Sequence, residues 1–121
     1  MRGIVLFAHG ARDPEWARPF ERIRERVGSS RPECPIGLAY LEFMRPTLEE
    51  AAAALVEEGA SSITVFPLFM AQGGHLKDDL PRRVEALRQS RPHLPICMEA
   101  ALGDVPEVLE AISGWILERV D

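Results

Sequence analysis

Two histidines and one glutamate are the residues of this sequence whose types and placement could do chemistry together. His9 follows an unbroken apolar run, Ile4-Val5-Leu6-Phe7-Ala8, and precedes Gly10. Such a run suits a strand buried on both faces of a parallel sheet, and glycine lets the backbone turn tightly after it. His9 therefore stands where a strand gives out. Glu42 is the first carboxylate after a second short apolar run, Ile36 to Leu41, and His75 follows Gly73-Gly74 in a connection from Pro67 to Lys77. That connection is long for a strand-to-helix link, and long connections inside small domains usually carry function. Imidazoles and a carboxylate on neighbouring strand ends make a donor set for a divalent transition metal with open positions. Imidazole suits iron, cobalt, nickel and zinc alike, so the donors do not choose the metal.

Four strands alternating with four helices must position these groups. The first helix is expected from about Pro14 to Val27, capped by Asp13, with Trp16, Phe20, Ile23 and Val27 as its apolar stripe and Gly28 as its stop. Thr47 and Glu50 form a capping box for the second helix, which Gly59 ends. A third strand runs from Ser62 to Phe66 or slightly beyond. Asp78 is placed to cap the third helix, whose stripe is Leu80, Val84 and Leu87. The fourth strand is Ile96 to Met98, and Asp104 and Glu107 frame a last helix running to the C-terminus.

This alternation predicts an α/β fold, a single flavodoxin-like domain with a four-stranded parallel sheet in the order 2-1-3-4 and helices on both faces. In that order His9, Glu42 and the His75 connection leave the carboxyl ends of three adjacent strands. His93 precedes the fourth strand and falls at the opposite end. Cys34 and Cys97 belong to opposite edges, about 14 Å apart, too far for a disulfide. They read as two reduced thiols packed as small apolar groups.

Composition bounds the function. The chain has 121 residues, enough for one domain with a real core, and a formal net charge of −5. That balance argues against a nucleic-acid binder working through a basic face. The apolar start is too short to span a membrane and lacks the features of a signal peptide, so a cytoplasmic location is expected. The sequence lacks the Arg-His-Gly run of histidine phosphatases, a Gly-x-Ser-x-Gly elbow, a Rossmann glycine fingerprint and a phosphate-binding loop.

Three segments, FAHGARDP, YLEFMRPTLEE and VFPLFMAQGGHLKDDLP, resemble the class II chelatases, specifically the small CbiX-type sirohydrochlorin chelatases. The resemblance covers Ile4 to about Val84, with order and spacing intact. One departure is Ala11, where the family often has serine. The resemblance implies insertion of Co2+, Fe2+ or Ni2+ into sirohydrochlorin, with the metal as substrate and no permanently bound cofactor. It implies that His9, Glu42 and His75 are the metal and catalytic groups. It also places Gly10, Arg12, Arg45, Gly73, Gly74 and Lys77 at the substrate, the cations meeting its carboxylates. Leu68, Phe69 and Met70 would contact the ring or anchor their loop. A metal or tetrapyrrole carrier with the same site is the alternative.

The resemblance further implies a homodimer, because larger members hold two such units around a cleft. The last helix agrees: Val105, Val108, Leu109, Ile112, Trp115, Ile116, Leu117 and Val120 cover more of its surface than one core-facing stripe needs. Either a second subunit or the helix's own sheet would cover the excess.

Overall fold

The computed structural model describes residues 1–120. Strand β1 (Arg2–Ala8) is followed by a 3-10 turn at Pro14–Ala17 and helix α1 (Arg18–Ser30). Then come β2 (Ile36–Tyr40), α2 (Leu48–Glu57), β3 (Ser62–Pro67), α3 (Gly74–Ser90), β4 (Ile96–Met98), a second 3-10 turn at Leu102–Asp104, and α4 (Pro106–Leu117). The four strands are parallel in the order β2-β1-β3-β4, as expected.

The alternation of side chains along β1 divides the core between the two faces of the sheet. Val5 and Phe7 face α2 and α3, meeting Leu48, Ala51, Ala52 and Leu55 from one helix and Leu80, Val84 and Leu87 from the other. Leu6 and Ala8 face the opposite way, toward Ala17, Trp16 and Phe20 at the start of α1. The second face is covered less well: α1 has no buried residue and Ile23 of its stripe is exposed. Helix α4 has no buried residue at all. Its first turn borders an apolar groove of about 260 Å³ lined by Phe66, Leu68, Leu102, Val105 and Val108. Beyond that turn, Leu109, Ile112, Trp115, Ile116 and Leu117 are exposed. The helix does not wrap its own sheet.

Several boundaries differ from expectation for identifiable reasons. Helix α1 begins as a 3-10 turn, with Asp13 accepting from the Glu15 N–H, and it runs through Gly28 to Ser30. Its stop is Pro32, which forces Arg31 out of helical conformation (φ −135°, ψ 66°). The same device ends α3, where Arg91 before Pro92 adopts φ −135° and ψ 69°. Residues 30–36 (SRPECPI) and 90–96 (SRPHLPI) are thus two copies of one helix-to-strand turn. Each has a matching hydrogen bond, Cys34 N to Arg31 O and Leu94 N to Arg91 O, both 3.0 Å. Strand β2 ends at Tyr40, one residue early.

Helix α3 starts at Gly74, with Gly73 as cap, and Asp78 lies inside it. A start at Asp78 would have put Pro81 in the first turn, where its missing N–H costs nothing. The helix instead accepts Pro81 internally and gains a turn upstream. Helix α4 has Val105 as cap and Pro106 first, while Asp104 closes the preceding 3-10 turn; α4 ends at Leu117, short of the C-terminus. Cys34 is half-buried and Cys97 is exposed, 3.4 Å from Thr64 Oγ1. Both thiols are free, but Cys97 is not packed in the core, because no helix covers that part of the sheet.

The capping box of α2 forms in full: Glu50 N donates to Thr47 Oγ1 at 3.2 Å, and Thr47 N to Glu50 Oε1 at 2.9 Å. Arg45 adds two bonds to the same carboxylate, at 3.2 and 2.7 Å. The Thr47 backbone N–H and the Arg45 guanidinium hold the Glu50 carboxyl below its ordinary range. A lowered carboxyl stabilises the fold above the ordinary carboxylate range and ceases to do so as pH falls through its lowered value. Glu50→Gln should therefore melt below the wild type at neutral pH, and the gap should close on acidification. Melting curves between about pH 2 and 7 check this.

Gly103 has a different role. A Cβ there would run into the backbone of Met70, while one at Gly114 would meet nothing. Gly103→Ala should cost about 1–3 kcal/mol in thermal unfolding. Gly114→Ala should instead favour α4 by about 1 kcal/mol, read as increased helicity.

Candidate metal and macrocycle site

The site grows from the β1–β2 ladder. Its register runs from Ile4↔Ile36 to Ala8↔Tyr40, and the backbone pairing continues past the strand ends. Leu41 N donates to Ala8 O at 2.9 Å and Glu42 N to His9 O at 3.1 Å. Gly10 makes that approach possible. Its φ is +94°, and a Cβ there would collide with the Glu42 carbonyl oxygen. Side chains that begin on adjacent strand ends then meet: His9 Nε2 lies 3.4 Å from Glu42 Oε1. The two side chains are 46% and 49% exposed, so an incoming ion can reach them.

His9 is held from below. Its ring stands edge-on to Phe69, centroids 6.3 Å apart, and Phe69 stands edge-on to Phe7 at 6.1 Å. Phe69 is buried, and Gly103 N donates to its carbonyl at 3.0 Å. Of the three apolar residues in this loop, Phe69 anchors it, Leu68 packs partly against the α1 face, and Met70 is exposed.

The chemistry of the pair follows from its geometry. His9 Nδ1 faces Gly10 O at 3.3 Å. With the ring proton on Nδ1, Nε2 turns its lone pair toward an anionic oxygen. Two acceptors facing each other leave a place for a cation between them. Donors bound at ordinary first-row metal distances to one tetrahedral ion stand about 3.4 Å apart. The pair thus has the separation of two ligands on one ion.

His75 is not brought to them. It is the second residue of α3, exposed on the first turn, and not part of an adjustable loop. Among the described residues, no three His, Cys, Asp or Glu side chains gather closely enough to hold a metal ion. The reason is the extra turn of α3, which fixes His75 to a helix start. Gly73 and Gly74 have open space where a Cβ would stand, and the helix has no side-chain cap, so its first N–H groups are available to an anion. Lys77 is exposed on the same turn. Arg12 lies over the Phe43 ring, 4.7 Å from guanidinium carbon to centroid. Arg45 is tied to Glu50 at the start of α2. His93 is exposed in the turn entering β4, at the opposite end of the sheet. Sequence reasoning missed Phe43; its positive φ has no signature in the residue types around it.

Comparisons with known proteins agree with this architecture. The CbiX family model matches residues 3–119. A sirohydrochlorin cobaltochelatase of Saccharolobus islandicus is 40% identical over 82 residues, which is 68% of this chain and 62% of that protein. The same enzyme of Sulfolobus acidocaldarius is 35% identical over 85 residues, 70% of this chain and 68% of that one. The matched stretch thus spans less than two thirds of the Saccharolobus relative. Among solved structures, a CbiX protein of Marinobacter aquaeolei VT8 superposes with a TM-score of 0.85 and 30% identity, covering 99% of this chain and 98% of the other. SirB of Bacillus subtilis with Fe3+ shares the fold, with a TM-score of 0.77 and 24% identity over 99% of this chain and 48% of SirB. Matched by its family model along nearly its whole length, the chain belongs to the CbiX family.

Proposed function

We propose that this protein is a sirohydrochlorin chelatase, exchanging two pyrrole protons of the free macrocycle for one divalent cation, Co2+ or Fe2+ and in some settings Ni2+. The observation that carries the reading is the 3.4 Å approach of His9 Nε2 to Glu42 Oε1 at the carboxyl edge of the sheet. The metal is a substrate that the pair receives, strips of part of its water and releases to the macrocycle. The same two groups are the nearest bases for the two departing protons. His75, fixed on the first turn of α3 and apart from that pair, serves as the third group, for a pyrrole proton or for the cation once the macrocycle lies between it and the pair. Arg12 and Lys77 meet carboxylates of the macrocycle, and the free N–H groups at Gly73 and Gly74 add an anion-binding edge. Arg45 reaches the substrate only by leaving Glu50.

We further propose that the working unit is a homodimer. Helix α4 exposes Leu109, Ile112, Trp115, Ile116 and Leu117. Apolar patches of that kind mark association surfaces. A second copy would cover that face and supply the other wall of a cleft. No helix among the described residues is long and apolar enough to cross a membrane. With two free thiols, the reading places the protein in the cytoplasm.

The decisive experiment is anaerobic incubation with sirohydrochlorin and each metal, followed by visible spectroscopy. Turnover at sub-stoichiometric protein supports the enzyme; one stoichiometric spectral change and no more identifies a carrier. His9→Ala and His75→Ala should melt like the wild type yet insert metal at least about a hundredfold more slowly. Glu42→Gln should keep more activity than either, since the amide preserves shape while losing charge. A double histidine variant that inserts metal like the wild type would place the site elsewhere.

The assembly has its own test. Trp115→Ala should shift light scattering toward the monomer mass while leaving the monomer's helicity unchanged, because the indole is exposed within its own chain. A monomer mass for the fully active wild type would overturn the dimer.

A further inference from the structure

Phe43 is the residue of the β2–α2 loop that packing does not explain. It is 57% exposed, and its φ is +66°. Met44 N donates to Glu42 O at 2.8 Å, closing a γ-turn with Phe43 at its apex. A γ-turn with positive φ at its centre is the rare, strained form, and a bulky residue there is a steric outlier. Glycine or asparagine would occupy the position at lower cost. The turn itself is fixed from both sides: Glu42 N is bonded to His9 O, and Met44 packs against the α1-side core. The fold demands a residue tolerant of positive φ, and the chain spends that strain on holding a phenyl ring out to solvent.

The surroundings indicate what the ring meets. Glu42, one residue back, is half of the ion-receiving pair. Arg12 stacks on the ring at 4.7 Å, setting a cation beside an apolar face. An aromatic face and a guanidinium bordering an ion-binding pair match a flat conjugated ring with carboxylates at its rim and nitrogens at its centre.

We propose that Phe43 is the platform on which the face of a conjugated, carboxylate-bearing macrocycle rests, with Arg12 meeting a rim carboxylate. The proposal rests on the chelatase reading above. The strained turn keeps the ring presented before the ligand arrives, so no side-chain ordering is needed on binding.

Three full-length variants test it. Phe43→Gly and Phe43→Asn both suit positive φ and remove the aromatic face; Phe43→Tyr retains it. Affinity is measured for metal-free sirohydrochlorin and, separately, for Co2+ alone, with melting temperature and mass recorded for each. The glycine and asparagine variants should bind the macrocycle at least about tenfold more weakly than wild type. Their Co2+ affinity should stay within about twofold, since Phe43 supplies no ligand atom. Their melting temperatures should equal or exceed the wild type's, and Phe43→Tyr should bind macrocycle like wild type. Macrocycle affinity unchanged in both variants would overturn the platform and leave the chelatase reading standing. Loss of Co2+ affinity in both would make Phe43 a support for Glu42 instead, and a changed mass would make it an interface residue; either overturns the proposal. Wild-type protein that binds Co2+ but no macrocycle would sink the chelatase reading, and the platform with it.

Discussion

Two backbone hydrogen bonds beyond the last regular pair of β1 and β2, Leu41 N to Ala8 O and Glu42 N to His9 O, govern what is built at the carboxyl edge of the sheet. Because they continue the ladder, the positions of His9 and Glu42 are set by strand register and not by loop preference. Register in a buried sheet is strongly specified, since a slip of one residue would turn every apolar side chain to the wrong face. The buried run Val5 to Ala8 thus holds the imidazole indirectly, through the cost of any alternative alignment. Gly10 allows the two chains to close, and Phe69 fills the space beneath the imidazole.

Legibility in the sequence followed the physics of each segment. Strands made of short apolar runs, the capping box at Thr47 and Glu50, and the sheet order were all readable, because each rests on a local pattern or a handedness rule. The start of α3 was not. Gly73 and Gly74 resemble loop glycines, and Asp78 is a better cap by type than Gly73. Leu76, on the added turn, packs against the same core as Leu80, Val84 and Leu87, so tertiary packing rewards a longer helix and local preference gives way. His9 and Glu42 emerged as neighbours because register could be inferred; His75 was placed on the right strand end but on the wrong kind of element. Phe43 could not be seen, since its strain arises only when the loop is pinned at both ends.

The two faces of the sheet are unequal. The face toward α2 and α3 is closed by leucines, alanines and Val84, and it carries the support of His9 through Phe7 and Phe69. The face toward α1 is completed only near β1 and β2. The site is therefore anchored in the well-packed half of the protein, while α4 carries a run of exposed apolar side chains. Gly103 connects these regions: the 3-10 turn leading into α4 touches the backbone of Met70 and bonds to Phe69 O. A displacement of α4 has a direct mechanical route to the ring beneath the imidazole.

Helix α4 also changes what stability means for this protein. A last helix with no buried residue adds little to folding within one copy. Any protein surface that covers it contributes free energy that depends on how much of that surface is present. If a second copy is that surface, as proposed, dilution alone removes part of the fold's support. In such an assembly folding and the supply of partner surface are one equilibrium, governed by mass action.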